Sequence, residues 1–146
     1  YIYPDVLREQ PQGDVPGSNG RLTGRLEMIR IEWDYMPPPA LRGNSRVHWS
    51  VRHKVTKQFK ESAYFRLMEQ DPDPMDKVRV KYIAHWCGKP IDADNLVKGM
   101  KPALDALTEY GLIEDDNPEF VKGIEVEYHR VKHKNEIKMI MEIAEA

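Results

Sequence analysis

"VRVKYIAHWCGKPIDADNLVKGMKPALDALTEYG", residues 78–111, decides how the rest of the chain is read. Val78, Val80, Tyr82, Ala84 and Trp86 recur every second residue, the period of a strand with one face buried. Gly88, Lys89 and Pro90 stop that strand. A helix is expected over about residues 95–110, ended by Gly111 as a left-handed cap. Gly99 and Pro102 lie inside it and predict a kink or a restart near Lys101. Between strand and helix stand Asp92 and Asp94, two residues apart, with Lys98 four residues further on.

Upstream, Ile29, Ile31, Trp33 and Tyr35 alternate with Arg30, Glu32 and Asp34, a second strand pattern. "MPPPALRGNS", residues 36–45, breaks it into a loop. Ser45 or His48 can open a long helix through about Glu69, with Val51, Val55, Phe59, Ala63 and Leu67 at steps of four. "DPDP" at 71–74 ends that helix. Downstream, the acidic loop "EDDNPE" at 114–119 leads to a strand through Ile124, Val126 and Tyr128. "KHKN" at 132–135 reads as a turn into a last strand with Ile137, Met139, Met141 and Ile143, making a terminal hairpin. The expected fold is α+β: one domain over residues 25–146, a mostly four-stranded mixed sheet and two main helices, in the order β-α-β-α-β-β. Residues 1–24 lack periodicity and read as an N-terminal arm or an expression remnant.

No apolar run approaches the roughly 18–20 residues of a spanning helix, and no signal-peptide pattern opens the chain. The single cysteine, Cys87, has no partner for an internal disulfide and fits a reducing cytosol, where it reads as a small core residue. Net charge is −2, but residues 41–60 hold Arg42, Arg46, Arg52, Lys54, Lys57 and Lys60 and no acid, leaving −8 for the remainder. Such a segment can bind phosphate locally, or it can be the solvated face of a helix. The five histidines show no ligand spacing tied to the aspartates.

Asp92 and Asp94 at i, i+2 in extended chain put both carboxylates on one side, where they repel unless a cation neutralises them. Hard divalent ions such as Mg²⁺ take such oxygen ligands, and a lysine one turn into the helix can face a phosphate. The plain alternative makes Asp94 a helix N-cap and Asp92 a turn former. Spacing alone leaves both readings open.

"DADNLVKGMKPALDALTEYGLIEDD", residues 92–116, resembles the core signature of RusA-type Holliday junction resolvases: D-x-D-N-L-x-K, then A-[LF]-D-A-L, a glycine and a D-D pair. The "PPP…N…R" loop and the basic helix add weaker likeness. The resemblance implies a small homodimeric, Mg²⁺-dependent endonuclease of four-way DNA junctions, cytoplasmic and encoded by a bacterium, phage or prophage. Mn²⁺ is an implied substitute for Mg²⁺. Carried over residue by residue, Asp92, Asp94 and Asp116 are the implied metal ligands and Lys98 the implied catalytic lysine. The stretch before "ALDAL" is about three residues longer than the family pattern, so Lys101 competes with Lys98 for that role. Asn44, Arg46, Arg52, Lys54, Lys57, Lys60 and Lys101 are the expected DNA contacts, made mostly to phosphates, with Asn44, Arg46 and His48 near the branch point.

A straight helix over 95–110 would separate its ends by about 24 Å, while residues 111–116 span at most ~20 Å. One Mg²⁺ holds its ligands at about 2.1 Å. Asp116 is therefore expected to reach Asp92 and Asp94 of a two-fold partner, giving a metal site shared between subunits. Two other readings remain: a Mg²⁺-dependent nuclease on other branched DNA, and a non-catalytic DNA-binding dimer.

Overall fold

The computed structural model describes residues 28–43 and 46–146. The expected N-terminal arm, residues 1–24, and Asn44 lie outside the described residues. Strand β1 covers Met28–Trp33 and is followed by a 3₁₀ turn, Pro39–Leu41, which the prolines start where a missing N–H costs nothing. Helix α1 covers Trp49–Gln70. His48 caps it, its Nδ1 accepting from the Ser50 backbone N–H at 3.1 Å. Asp71 closes it in the left-handed region, φ 46°, a conformation that short polar side chains tolerate.

Strand β2 covers Val78–Trp86, α2 Ala93–Gly99, α3 Lys101–Tyr110, β3 Val121–Arg130 and β4 Lys138–Glu145. The helix expected over 95–110 is thus two helices meeting at Met100, where Pro102 restarts the backbone. Gly111, φ 94°, ends α3 as a left-handed cap.

The sheet order is β1-β4-β2-β3. β4 pairs antiparallel with both β1 and β2, while β3 pairs parallel with β2. The expected terminal hairpin is therefore corrected: β3 and β4 follow one another in the chain but are separated by β2. The physical reason is burial. β4 is buried at Met139, Ile140 and Met141 in succession, which only a central strand allows, whereas β3 is largely exposed and takes the edge.

Alternation puts Ile29, Ile31, Trp33, Val78, Val80, Tyr82, Met139, Met141 and Ile143 on one face, in a core with Phe59, Ala63, Leu67, Met100, Ala103 and Leu107 of the helices. The opposite face carries an ion-pair lattice: Arg30 with Glu32 and Glu142, Lys138 with Glu32, and Lys81 with Glu127. Ile83 and Ile140 are cross-strand partners buried beneath it. The described residues form a two-layer α+β sandwich, with their helices on one face of the sheet. Cys87, expected in the core, is half-buried, its thiol 3.5 Å from the Lys132 carbonyl.

Candidate functional site

The chain leaves β2 through a turn in which the Trp86 indole N–H donates to the Lys89 carbonyl at 2.8 Å and Gly88 adopts φ 106°. Asp92 then takes the N-cap position of α2, yet its carboxylate accepts no capping hydrogen bond. Asp94 lies in the first turn and Lys98 in the last. All three are exposed, and no ion pair or hydrogen bond engages their side chains among the described residues.

Two glycines bring the basic loop against this acidic turn. Gly43 adopts φ +55°, and a Cβ there would lie 2.1 Å from the Asn95 Oδ1, so the Asn95 amide rests directly on the Gly43 backbone. On the next turn of α2, a Cβ on Gly99 would lie 2.9 Å from both the Arg42 Cγ and the Pro37 Cβ. The stem of Arg42 and the ring of Pro37 fill the groove that Gly99 leaves. Burial lowers the pKa of the Arg42 guanidinium, and its Nε has no hydrogen-bond partner among the described residues. Arg52 holds the loop from the other side, donating from Nη1 to the Ala40 carbonyl at 2.7 Å.

The expected DNA contacts divide into two groups. Arg46, Lys54 and Lys57 are exposed. Arg52 is tied to Ala40, Lys60 pairs with Glu109 of α3 at 2.5 Å, and Lys101 is bonded to acids. The first turns of α1 extend past the core: Trp49 is 73% exposed and its ring lies 5.6 Å from that of His48.

Asp116 is engaged by Lys101, the alternative to Lys98. Lys101 Nζ donates to Asp105 Oδ1 at 2.6 Å and to Asp116 Oδ2 at a still shorter contact. Asp105 follows Lys101 by one helical turn, so both project from one face of α3. The Lys101 bond, opposed by burial and aided by Asp105 and Asp115, holds the Asp116 carboxyl below its usual range. Burial pulls the Lys101 pKa down, but the bonds to Asp105 and Asp116 outweigh it and leave it raised. Asp115 is occupied in its own loop, accepting from the Asp116 backbone N–H at 2.7 Å and from Asn117 Nδ2 at 2.9 Å.

The helix expected to be straight over 95–110 is instead broken, and Asp116 reaches Lys101 at the start of its second half. With the break at Met100, α3 is only about 15 Å long, and residues 111–116 double back beside it. Among the described residues, no group of three or more His, Cys, Asp or Glu side chains is arranged to hold a metal ion.

Asp105 and Tyr82 were not among the expected site residues. The signal for Asp105 was present, a Lys101-to-Asp105 spacing of one turn. Tyr82 read only as one more apolar position of β2. Its side chain is fully buried, its hydroxyl has no hydrogen-bond partner among the described residues, and burial followed by the charges of Asp105 and Asp116 pushes its pKa up. No protein-family model matches the chain, and no curated protein matches it.

Proposed function

We propose that this chain is a Mg²⁺-dependent endodeoxyribonuclease that resolves four-way DNA junctions as a homodimer, one nick per subunit on opposed strands. The observation that carries this reading is the seating of the basic loop on the acidic turn, through Gly43 against Asn95 and Arg42 against Gly99. Phosphates drawn to Arg46, Lys54 and Lys57 are thereby delivered next to two exposed carboxylates. The likeness of residues 92–116 to the RusA-type signature supports the same reading.

The donor set suits a hard divalent ion, because Asp92 and Asp94 offer exposed carboxylate oxygens that no other group of the described residues neutralises. When bound, Mg²⁺ supplies charge stabilisation of the scissile phosphate and a more acidic water. Asp92, Asp94 and Asp116 act as the carboxylates of the site. Lys98, exposed in the last turn of α2, would meet phosphate charge, while Lys101 is bonded to Asp105 and Asp116. Arg42 and Asn95 keep the loop and the helix in register. The reading places the homodimer, the four-way junction and a cytoplasmic site of action together, since a two-fold enzyme matches a two-fold substrate.

The test is incubation of a labelled synthetic four-way junction with the chain, with and without Mg²⁺, beside Asp94→Asn. Paired nicks that need both Mg²⁺ and Asp94 are expected. Mg²⁺-dependent cleavage confined to flaps or forks would redirect the reading to a general branched-DNA nuclease. Binding without cleavage under Mg²⁺ or Mn²⁺ would leave a non-catalytic DNA-binding dimer.

A further inference from the structure

Of the three tryptophans, Trp33 is fully buried, and Trp86 is half-buried with its indole N–H donated to the Lys89 carbonyl. Trp49 is different. It is 73% exposed, and its indole makes no hydrogen bond among the described residues. Helix α1 overhangs the core here: its buried stripe is Phe59, Ala63 and Leu67, whereas Val51, earlier on that stripe, is 48% exposed. The indole is nonetheless held. The His48 ring lies beside it at 5.6 Å and 33°, within the range of a favourable aromatic pair. His48 is itself fixed by Ser50, whose backbone N–H donates to Nδ1 at 3.1 Å and whose Oγ lies 2.7 Å from it. A large apolar ring is therefore offered to solvent in a set orientation.

Its surroundings are cationic. His53 and Lys57 follow Trp49 at steps of four, so all three lie along one exposed side of α1. Arg46 and Lys54 are exposed nearby in sequence, and residues 41–60 contain no acid. A ring set among cations suits a ligand that is both flat and polyanionic. A second copy of this surface fits worse, because across a two-fold axis the same cations would face one another.

We infer that Trp49 is a stacking platform for a DNA base that has left the duplex stack, with Arg46, Lys54 and Lys57 meeting the flanking phosphates. Within a duplex both faces of a base are covered by its neighbours, so such a platform separates opened DNA from closed DNA. Phosphate contacts fix position and carry no such information. At a branch point, where strands leave one helix for another, a base can give up its stacked neighbour. The inference rests on the DNA-binding part of the proposed function and not on its chemistry.

The experiment is fluorescence anisotropy in EDTA with labelled oligo(dT), a four-way junction and a linear duplex, comparing the parent chain with Trp49→Ala and Trp49→Phe. Circular dichroism checks each variant's fold. Trp49→Ala is expected to weaken oligo(dT) binding roughly fivefold to 150-fold, the worth of one aromatic–base stack. Junction binding should fall by a smaller factor, since opening a base consumes part of the gain. Duplex binding should change by less than about twofold, because phosphate contacts carry it. Trp49→Phe should recover part of the loss, and oligo(dT) should quench the tryptophan emission of the parent but not of Trp49→Phe. Equal losses on oligo(dT) and duplex, no loss on oligo(dT), or quenching that survives in Trp49→Phe would overturn the inference. So would a smaller oligomer of Trp49→Ala in sedimentation, which would assign the ring to a contact between copies. A parent chain that binds no DNA would overturn the inference and the proposed function together. Stacking through Trp49 without junction cleavage in Mg²⁺ would uphold the inference and remove only the nuclease.

Discussion

Helices α2 and α3 are consecutive pieces of one broken helix, and they treat charge in opposite ways. In α3 the cation at the first position is bonded to two acids, and the inner stripe of Ala103, Ala106 and Leu107 is fully buried. In α2 the carboxylates at the first turn and the lysine at the last make no ion pair among the described residues, and only Leu96 and Gly99 are buried. α3 is thus built mainly to hold the fold and α2 to present charge. Substitutions should separate along the same line, α3 through stability and α2 through activity.

The largest expected effect tests the α2 half. Asp92 occupies a cap position without making a cap bond. Asp92→Ala should therefore lower the unfolding free energy by less than about 0.5 kcal/mol, against about 1 kcal/mol for a working cap. Mg²⁺-dependent junction cleavage should fall about a thousandfold, some 4 kcal/mol of lost transition-state stabilisation. Urea unfolding and single-turnover cleavage on the same preparation decide it. A stability loss that matches the activity loss would return Asp92 to a structural cap.

Next in size is Leu107→Ala on α3. This side chain is fully buried against the sheet, and its removal should cost about 3 kcal/mol through lost burial and an unfilled cavity. The urea midpoint should drop with an unchanged slope. If DNA binding per folded molecule also fell, the division between a packing helix and a presenting helix would be too sharp.

Smaller again is Gly43→Ala, which strikes the joint between the basic loop and α2. A Cβ at φ +55° is strained on its own, by about 1–2 kcal/mol, and here it also meets Asn95 at 2.1 Å. Asn95 must move, carrying the register of Arg42 against Gly99 with it. Cleavage should suffer more than stability does, and Asn95→Ala should restore part of the lost stability by making room. No rescue in the double variant would mean that backbone strain alone causes the loss.

How far the chain itself disclosed these features follows from the range of each interaction. The ends of α1, the break near Lys101 and the Gly111 cap were legible, because capping, proline and left-handed glycine act within a few residues. The position of β4 was less so. Adjacency in sequence suggested a hairpin with β3, whereas the run Met139, Ile140, Met141, buried on both faces, signals a central strand. Asp92, Asp94 and Lys98 stood out by spacing. The Lys101–Asp105 pair was one helical turn long and readable, but its meeting with Asp116 depends on the loop 111–116 doubling back along α3. Tyr82 carried no signal at all, since a buried hydroxyl matters only for what faces it across the two layers.

The smallest effect probes the α3 side of the comparison through pH. The Asp116 carboxyl is held below its ordinary 3.8, first by the Lys101 bond, against burial, with the Lys101 charge, Asp105 and Asp115 adding to it. A depressed folded pKa means that the unfolded chain binds the proton more readily. The stabilisation is therefore complete above the unfolded value and disappears as pH falls through the folded one. At pH 7 Asp116→Asn should cost no more than about 1 kcal/mol, because Lys101 is more than half exposed and water screens the pair. Urea unfolding of both proteins from pH 7 downward should show the difference shrinking below about pH 4, with the wild type losing stability faster than the variant. Parallel curves would mean that the Lys101 bond does nothing for folding. The broken helix would then carry uncommitted charge on both of its halves, and stability would no longer distinguish one from the other.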